Sequence, residues 1–207
     1  MQTNPDIRFE KALNEKTPEQ LIKEIKVFKR EVERLKHVIE EEPDNPENSI
    51  LLSPQTQIRV YRDYLKHLFE AYKKAGGEYV PTKAELESLE SNESLTYLQS
   101  IRLSLRIAGL TYVERIFVID GSEVVLKIND TADFSSEEKY SKDEFLSKIA
   151  DFYIGEWKKR YSGNVQKDGI RWDLEFNYID ECDPVKYTCL NAYPYNFKEF
   201  AALFQVY

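Results

Sequence analysis

The sequence predicts an α+β protein, in which an N-terminal antiparallel helical hairpin precedes a five-stranded, mostly antiparallel sheet. Two long segments carry apolar residues at helical spacing, and later segments alternate apolar and polar residues with the period of a strand. The expected order after the hairpin is βββ-α-ββ-α, with the helices on one face of the sheet. We therefore divide the chain into a hairpin (1–77), an acidic linker (78–98) and a sheet domain (99–207).

The first helix has a clear predicted start. Thr17 is suited to the N-cap, Pro18 to the first helical position, and Gln20 to the reciprocal place of a capping box. Pro43 and Pro46 are expected to end the helix, because proline disfavours helical backbone in the residue before it. The apolar stripe of this helix comprises Leu21, Ile25, Phe28, Val32, Leu35 and Ile39.

The second helix repeats this start with Ser53 and Pro54, and Gly76 and Gly77 supply its predicted end. A short connector that contains two prolines favours antiparallel packing on the first helix. A coiled coil between two chains is the alternative, and it allows a weak dimer beside the monomer. The apolar stripe here comprises Ile58, Tyr61, Leu65, Leu68 and Tyr72.

Alternation and a turn signal predict the strands. Residues 101–107 alternate apolar and polar side chains, and the runs YVERIFVID and SEVVLKIND flank Asp120-Gly121, a pair suited to a type I′ hairpin turn. Residues 170–178 alternate in the same way, and PVKYTCL makes a partner strand for them. These segments give the five predicted strands.

A helix is predicted between the two groups of strands. Ser141 and Glu144 fit a capping box, while Tyr140 and Phe145 fit a hydrophobic staple. Phe145, Ile149 and Phe152 line the predicted apolar face, which Tyr153 and Trp157 widen. The helix is therefore expected to lie across the apolar side of the sheet.

The stretch NAYPYNFKEF predicts a corner between the last strand and a closing helix. Asn196 takes the N-cap position, Glu199 the reciprocal position, and Tyr195 with Phe200 the staple. Tyr193 lies outside the helical stripe and is a candidate aromatic anchor for a partner. The predicted buried stripe of this helix comprises Phe197, Phe200, Ala201 and Phe204.

Several blocks of the chain resemble an uncharacterised family of bacterial proteins, mostly from Firmicutes genomes and often near mobile elements. The blocks are LSPQTQIRVYRDYL, AGGEYVPTKAE, IGEWKKRY and DGIRWDLEFNYIDECDPVKYTCLNAYPYNF. The family has Gly-Thr-Gln-Trp where this chain has Gly169, Ile170, Arg171 and Trp172, and a glycine where this chain has Leu190. The resemblance implies a mobile-element origin but no activity or catalytic residue.

The charge of the chain is unevenly distributed. Of 29 basic and 37 acidic residues, residues 1–80 hold 14 and 15, which leaves 15 and 22 for the rest. Because binding to phosphate backbones depends on clustered Lys and Arg, we expect no direct contact with nucleic acid. The sequence has no apolar run long enough for a membrane span and no signal-peptide pattern, so a cytoplasmic protein is expected.

The sequence lacks a recognisable catalytic or metal-binding constellation. His37 and His67 have no HExxH-like context, Cys182 and Cys189 form no CxxC pair, and phosphate-binding glycine loops are absent. We therefore predict no cofactor, no metal and no enzymatic activity. The alternative is a metal-dependent hydrolase that uses Asp173 and Glu175, which lie two residues apart on the polar side of a strand.

These observations predict a cytoplasmic protein-binding module. An acidic surface suits a partner with a basic surface, and the resemblance to mobile-element proteins suggests an inhibitor or adaptor of a nucleic-acid-handling protein, comparable to an anti-CRISPR protein. A self-assembling coiled-coil protein is the other alternative. The candidate partner-binding residues are Asp173, Glu175, Asp180, Glu181 and Tyr193.

Overall fold

A computed structural model describes residues 13, 15–41, 53–107, 111–129, 137–163, 169–179 and 183–206 of the 207-residue chain. The chain forms two compact units, residues 1–80 and 81–207. The first contains the predicted helical pair, and the second contains the sheet. The predicted linker 78–98 contains a helix that belongs to the second unit.

Among the described residues, the first unit contains helices α1 (Pro18–Glu41) and α2 (Pro54–Lys74). The predicted capping box is present, because the Thr17 amide donates to Gln20 Oε1 at 2.9 Å and the Gln20 amide donates to Thr17 Oγ1 at 3.4 Å. Ser53 caps α2 by accepting a hydrogen bond from the Thr56 amide. Gly76 follows α2 with φ of 82°, which confirms its predicted role as the helix stop.

The two helices pack against each other through aromatic rings at their middle. The ring of Phe28 lies 5.2 Å from that of Tyr61 and 4.6 Å from that of Tyr64, edge to face. The Tyr64 hydroxyl donates to Glu24, which also pairs with Lys16 at 2.7 Å. The apolar stripes are buried within this chain at Leu21, Ile25, Val32, Leu35, Ile39, Ile58, Leu65 and Leu68.

Within the described residues, the sheet of the second unit has seven strands and not the predicted five. In spatial order it reads β4-β3-β2-β1-β6-β7-β5, and every neighbouring pair is antiparallel except β5 with β7. The prediction missed β4 and β5 because they are short edge strands, too brief for alternation to be read. The strands are β1 (Leu98–Ile107), β2 (Thr111–Asp120), β3 (Glu123–Asn129), β4 (Glu137–Ser141), β5 (Arg160–Ser162), β6 (Ile170–Tyr178) and β7 (Val185–Leu190).

The hairpin between β2 and β3 exists, but its turn differs from the prediction. Asp120 pairs with Glu123, so the two turn residues are Gly121 and Ser122. Gly121 has φ of 60°, whereas Ser122 has no positive φ. A positive φ at the first turn residue alone is the pattern of a type II′ turn, which places glycine there instead of the predicted type I′ pair Asp120-Gly121.

Three helices and two 3₁₀ turns cover one face of this sheet. They are α3 (Lys83–Ser94), α4 (Lys142–Asp151) and α5 (Phe197–Ala202), with 3₁₀ turns at Leu95–Tyr97 and Ile154–Glu156. Helix α4 is shorter than predicted, because Tyr153 adopts a left-handed φ of 50° and ends it. Ser141 occupies the N-cap of α4, yet its side chain makes no capping hydrogen bond.

The covered face of the sheet is an aromatic core. The ring centre of Phe117 on β2 lies 4.5 Å from that of Phe145 of α4. It lies 4.7 Å from that of Phe204, which follows α5. Trp172 on β6 stacks on Phe197 of α5 at 4.4 Å. Each such ring contributes about 1.5–3 kcal/mol when it leaves water completely. The predicted buried stripe of α5 is confirmed, since Phe197, Phe200, Ala201 and Phe204 are all at most 2% exposed.

Asn196 occupies the predicted N-cap position of α5, but its side chain holds the corner through other hydrogen bonds. Its side chain makes no capping hydrogen bond. Instead, the indole N–H of Trp157 donates to Asn196 Oδ1 at 3.0 Å, and Asn196 Nδ2 donates to the Phe152 carbonyl at 2.8 Å. The amide therefore ties α5 to the segment that follows α4.

Candidate functional site

The predicted site residues do not form one site. Asp173 and Glu175 lie on β6 and point away from the covered face, on the side that we call the open face. Arg171 Nε pairs with Asp173 at 3.2 Å, and Lys186 Nζ pairs with Glu175 at 3.2 Å. Both carboxylates therefore already pair with basic neighbours on the open face.

Tyr193 lies on the other side of the sheet. Its ring packs 5.2 Å from Phe197, which itself stacks on the covered face. Tyr193 and the pair Asp173 and Glu175 thus belong to different surfaces. Asp180 and Glu181 lie outside the described residues.

Cys189 is buried on the covered face. Its thiol donates to the carbonyl oxygen of Ala192, and the Ala192 amide donates to its sulfur at 3.2 Å. Burial raises the pKa of the thiol to about 11. A thiol with such a pKa is almost entirely protonated near neutral pH, so Cys189 is placed as a core residue rather than a nucleophile.

Helix α3 provides a surface that the sequence pattern did not reveal. Its capping box is formed by Thr82 and Glu85, whose side chain accepts from the Thr82 amide at 2.8 Å. Ser88, 9% exposed, is the residue of α3 that is buried. In contrast, Leu86 and Leu89 are 46% and 52% exposed.

An ordinary surface helix buries its apolar side chains and exposes its polar ones, whereas α3 buries Ser88 and exposes Leu86 and Leu89. We call Ser88, Ser91 and Asn92, continued by Leu95 directly after the helix, the inner stripe. Leu86, Leu89, Glu90 and Glu93 form the outer stripe. Both stripes have the spacing i, i+3, i+4, i+7 of a single helix face. The inner stripe is mostly small and polar, whereas the outer stripe exposes two leucines to water.

Close approach of the backbone explains how α3 packs without large apolar side chains. A Cβ atom on Gly155, in the second 3₁₀ turn, would lie only 2.7 Å from Cα of Ser88 and 2.8 Å from Cβ of Ser91. Only glycine fits at this position while the serines remain where they are. Small side chains on both sides therefore allow α3 to lie directly on the turn.

A small cavity lies beneath the inner stripe. It has a volume of about 10 Å³ and is lined by Ser91, Asn92, Leu95, Ile149, Ile154, Phe176, Tyr178 and Tyr187. This is the space of a single water molecule, not of a substrate. A ligand or partner would therefore have to contact α3 on its outer stripe, because the cavity beneath the helix is too small.

The outer stripe is acidic as well as apolar. Glu87, Glu90 and Glu93 are exposed on α3, and Lys83 pairs with Glu87 at 3.4 Å. Lys83 is the sole basic residue of this helix. Helix α3 thus holds four acidic residues and one basic residue, which is part of the acidic excess after residue 80.

The described residues contain no group of three or more His, Cys, Asp or Glu side chains that could hold a metal ion. Within the same residues, no helix has the length and apolar character needed to cross a membrane. His37 and His67 are both exposed, and His37 lies 3.4 Å from Glu41.

Comparisons of the chain with protein-family models, with curated proteins and with solved structures find no match. The resemblance to a mobile-element family therefore stays a prediction.

Proposed function

We propose that this protein is a non-enzymatic binding protein, and that the outer stripe of α3 contacts a partner protein with a basic surface. The observation that carries the proposal is the reversal of α3, whose leucines face water while its serines face the core. An inhibitor or adaptor of a nucleic-acid-handling protein suits this chemistry, because the grooves of such proteins are basic.

The exposed leucines supply the apolar part of the proposed contact. Leu86 and Leu89 each keep about half of their surface in water. Covering that half on binding contributes about 1 kcal/mol for each leucine, since complete burial of a leucine contributes about 1.5–3 kcal/mol. This amount matters in an interface whose centre is apolar and whose rim is charged.

The glutamates supply selectivity. Glu90 and Glu93 flank the leucines on the same helix face and lack a basic neighbour on α3 itself. Charges at the rim of an interface mainly increase the association rate and exclude partners of like charge. A lysine- or arginine-rich surface with an apolar centre is therefore the matching partner.

The hydrolase alternative gains less support from the geometry. Asp173 and Glu175 each pair with a basic side chain on the open face, and their side chains are 44% and 28% exposed. The coiled-coil alternative requires an unoccupied apolar stripe, whereas Phe28 already contacts Tyr61 and Tyr64 of the same chain. The geometry therefore supports binding through α3 better than it supports a hydrolase or an intermolecular coiled coil.

The first test is affinity capture from a lysate of the organism that carries the gene. Three forms of the protein are compared: the unchanged chain, the variant Leu86→Ala with Leu89→Ala, and a control with Val27→Ala and Val60→Ala. The control removes two valines of similar exposure, 48% and 49%, from the helical unit. We expect a protein with a basic surface that the unchanged chain and the control retain and that the leucine variant loses.

Purified partner then replaces the lysate. Glu90→Gln with Glu93→Gln is compared with Asp143→Asn and Glu144→Gln, an exposed acidic pair on α4 with the same change of charge. We expect weaker binding only for the α3 pair, and a smaller difference as salt screens the charges. Equal binding by the leucine variant and the control, at every salt concentration, would contradict the proposal.

A further inference from the structure

A row of four side chains crosses the open face at one end of the sheet. Arg106 on β1 lies opposite Tyr112 on β2 and, on its other side, opposite Arg171 on β6. Arg171 in turn lies opposite Leu190 on β7. We call Tyr112, Arg106, Arg171 and Leu190 the arginine row.

All four members of the arginine row are exposed. Tyr112 and Leu190 are 42% and 38% exposed, and the side chain of Arg171 is 58% exposed. Exposed aromatic, arginine and leucine side chains therefore lie side by side on neighbouring strands. Tyr and Arg are the residue types that most often dominate binding energy in interfaces.

The two arginines lie directly opposite each other on the neighbouring strands β1 and β6, so two like charges face each other. Such pairs destabilise a sheet. Arg171 is partly compensated by Asp173 at 3.2 Å, but Arg106 lies over the Tyr112 ring, with its guanidinium 5.9 Å from the ring centre. Among the described residues, no carboxylate forms an ion pair with Arg106.

The second row away on the same face, beyond the row of Ser104, has compensated charges. There Arg102 lies opposite Glu175, and Glu175 pairs with Lys186 at 3.2 Å. Arg102 also pairs with Glu114, with Nε of the arginine 4.0 Å from Oε1 of the glutamate. The arginine row is thus positive, whereas the next row carries the carboxylates Glu114 and Asp173 and the row beyond it alternates in sign.

The Tyr112 side chain is held in place for contact. Its hydroxyl donates to Glu114 Oε1 at 3.1 Å and approaches Ser104 Oγ at 3.4 Å. Since Glu114 fixes the hydroxyl end, the ring stays beside Arg106. An ordered ring and guanidinium lose little conformational entropy when a ligand binds.

We propose that the arginine row binds an extended acidic segment of a protein, with carboxylates at alternate positions. Arginine matches a carboxylate with two parallel hydrogen bonds. Alternate side chains of an extended segment are about 6.6 Å apart, and neighbouring strands are about 4.8 Å apart, a difference that long arginine side chains absorb. Tyr112 and Leu190 then cover apolar positions at the two ends of the row.

Charge favours a short acidic protein segment over nucleic acid. A polyanion that extends beyond the row would meet Glu114 and Asp173, which lie on the same face in the next row. The unit that carries the row is also acidic overall, with 22 acidic against 15 basic residues after residue 80. The proposed site is separate from the outer stripe of α3 and selects the opposite charge, so it goes beyond the proposed function.

The test uses amide chemical shifts of the isotope-labelled full chain, titrated with a short acetylated peptide that has glutamate at every second position. We expect shifts centred on the arginine row. In Arg106→Gln with Arg171→Gln, Kd should rise at least about tenfold, as expected for the loss of two charge-assisted contacts. In the control Arg102→Gln with Lys186→Gln, which removes the same charge from the same face, Kd should rise less than about twofold.

A conservative variant separates geometry from charge. Arg106→Lys with Arg171→Lys keeps both charges but loses the planar fork, so an intermediate loss of affinity supports the proposal. Equal weakening in the glutamine variant and its control would show unspecific charge attraction and overturn it. Shifts confined to other surfaces, or tighter binding of oligothymidylate than of the peptide, would overturn it as well.

Discussion

The covered face of the sheet and the inner stripe of α3 meet the same core with opposite chemistry. The sheet contributes large rings such as Phe117 and Trp172, which are at most 1% exposed. Helix α3 contributes serines and approaches so closely that Gly155 has no room for a side chain. The comparison shows that a segment can be held by close backbone approach, which leaves its apolar residues available for other contacts.

The largest expected effect lies on the aromatic side of this comparison. Phe200 is 0% exposed and contacts Phe152, Trp157 and Phe204 with ring distances of 5.2–5.4 Å. Phe200→Ala should lower the free energy of unfolding by about 3–5 kcal/mol through the loss of apolar burial and the cavity left behind. Urea unfolding followed by tryptophan fluorescence measures the change, and a loss below about 1 kcal/mol would show that this core tolerates cavities.

The next effect concerns the polar tie within the aromatic region. Asn196→Ala removes the acceptor of the Trp157 indole N–H and the donor to the Phe152 carbonyl. Because Asn196 is only 8% exposed, both groups lose their partner in a buried place, and we expect a loss of about 2–3 kcal/mol. Loss of an exposed helix cap alone costs about 1 kcal/mol, so equilibrium unfolding distinguishes the two roles.

The sequence predicted the elements in which side-chain type and spacing agree. The starts of α1 and α2 were predicted from Thr17 and Ser53, and the alternation in β1 and β6 identified their strands, because these signals are local. The role of Asn196 could not be predicted in this way. Its partners Trp157 and Phe152 are 39 and 44 residues away, and only the folded chain brings them together.

The candidate surfaces were harder to predict than the fold. Leucine in a helix is ordinarily assigned to the core, so Leu86 and Leu89 would be placed on the wrong side of α3. The signal that could have corrected this was the run of small residues at Ser88 and Ser91, which suits close packing. The arginine row depends on the register between β1 and β6, and a register across 65 residues of chain is not readable from either strand alone.

A smaller effect is expected where α3 meets the second 3₁₀ turn. Gly155→Ala forces a Cβ atom to within 2.7 Å of the Ser88 backbone, so α3 must move away, and we expect a loss of about 1–3 kcal/mol. Gly121→Ala is the control, because Gly121 has φ of 60° but nothing within 4 Å of an added Cβ. Its strain should cost about 1 kcal/mol without a change in the amide shifts of α3. Unchanged α3 shifts in Gly155→Ala would refute the close approach.

The smallest effect is expected from the outer stripe, and it sharpens the comparison most. Leu86→Ala with Leu89→Ala should change the free energy of unfolding by less than about 0.5 kcal/mol for each residue, since surface substitutions lose little burial and alanine favours helix. Leu95→Ala, at a position 7% exposed on the inner stripe, should instead cost about 2–5 kcal/mol. Thermal unfolding of both variants measures the difference, because Leu95 begins the 3₁₀ turn directly after α3 and is buried, whereas Leu86 and Leu89 are exposed. If the double variant were as destabilised as Leu95→Ala, the outer stripe would be part of the fold and not a surface reserved for a partner.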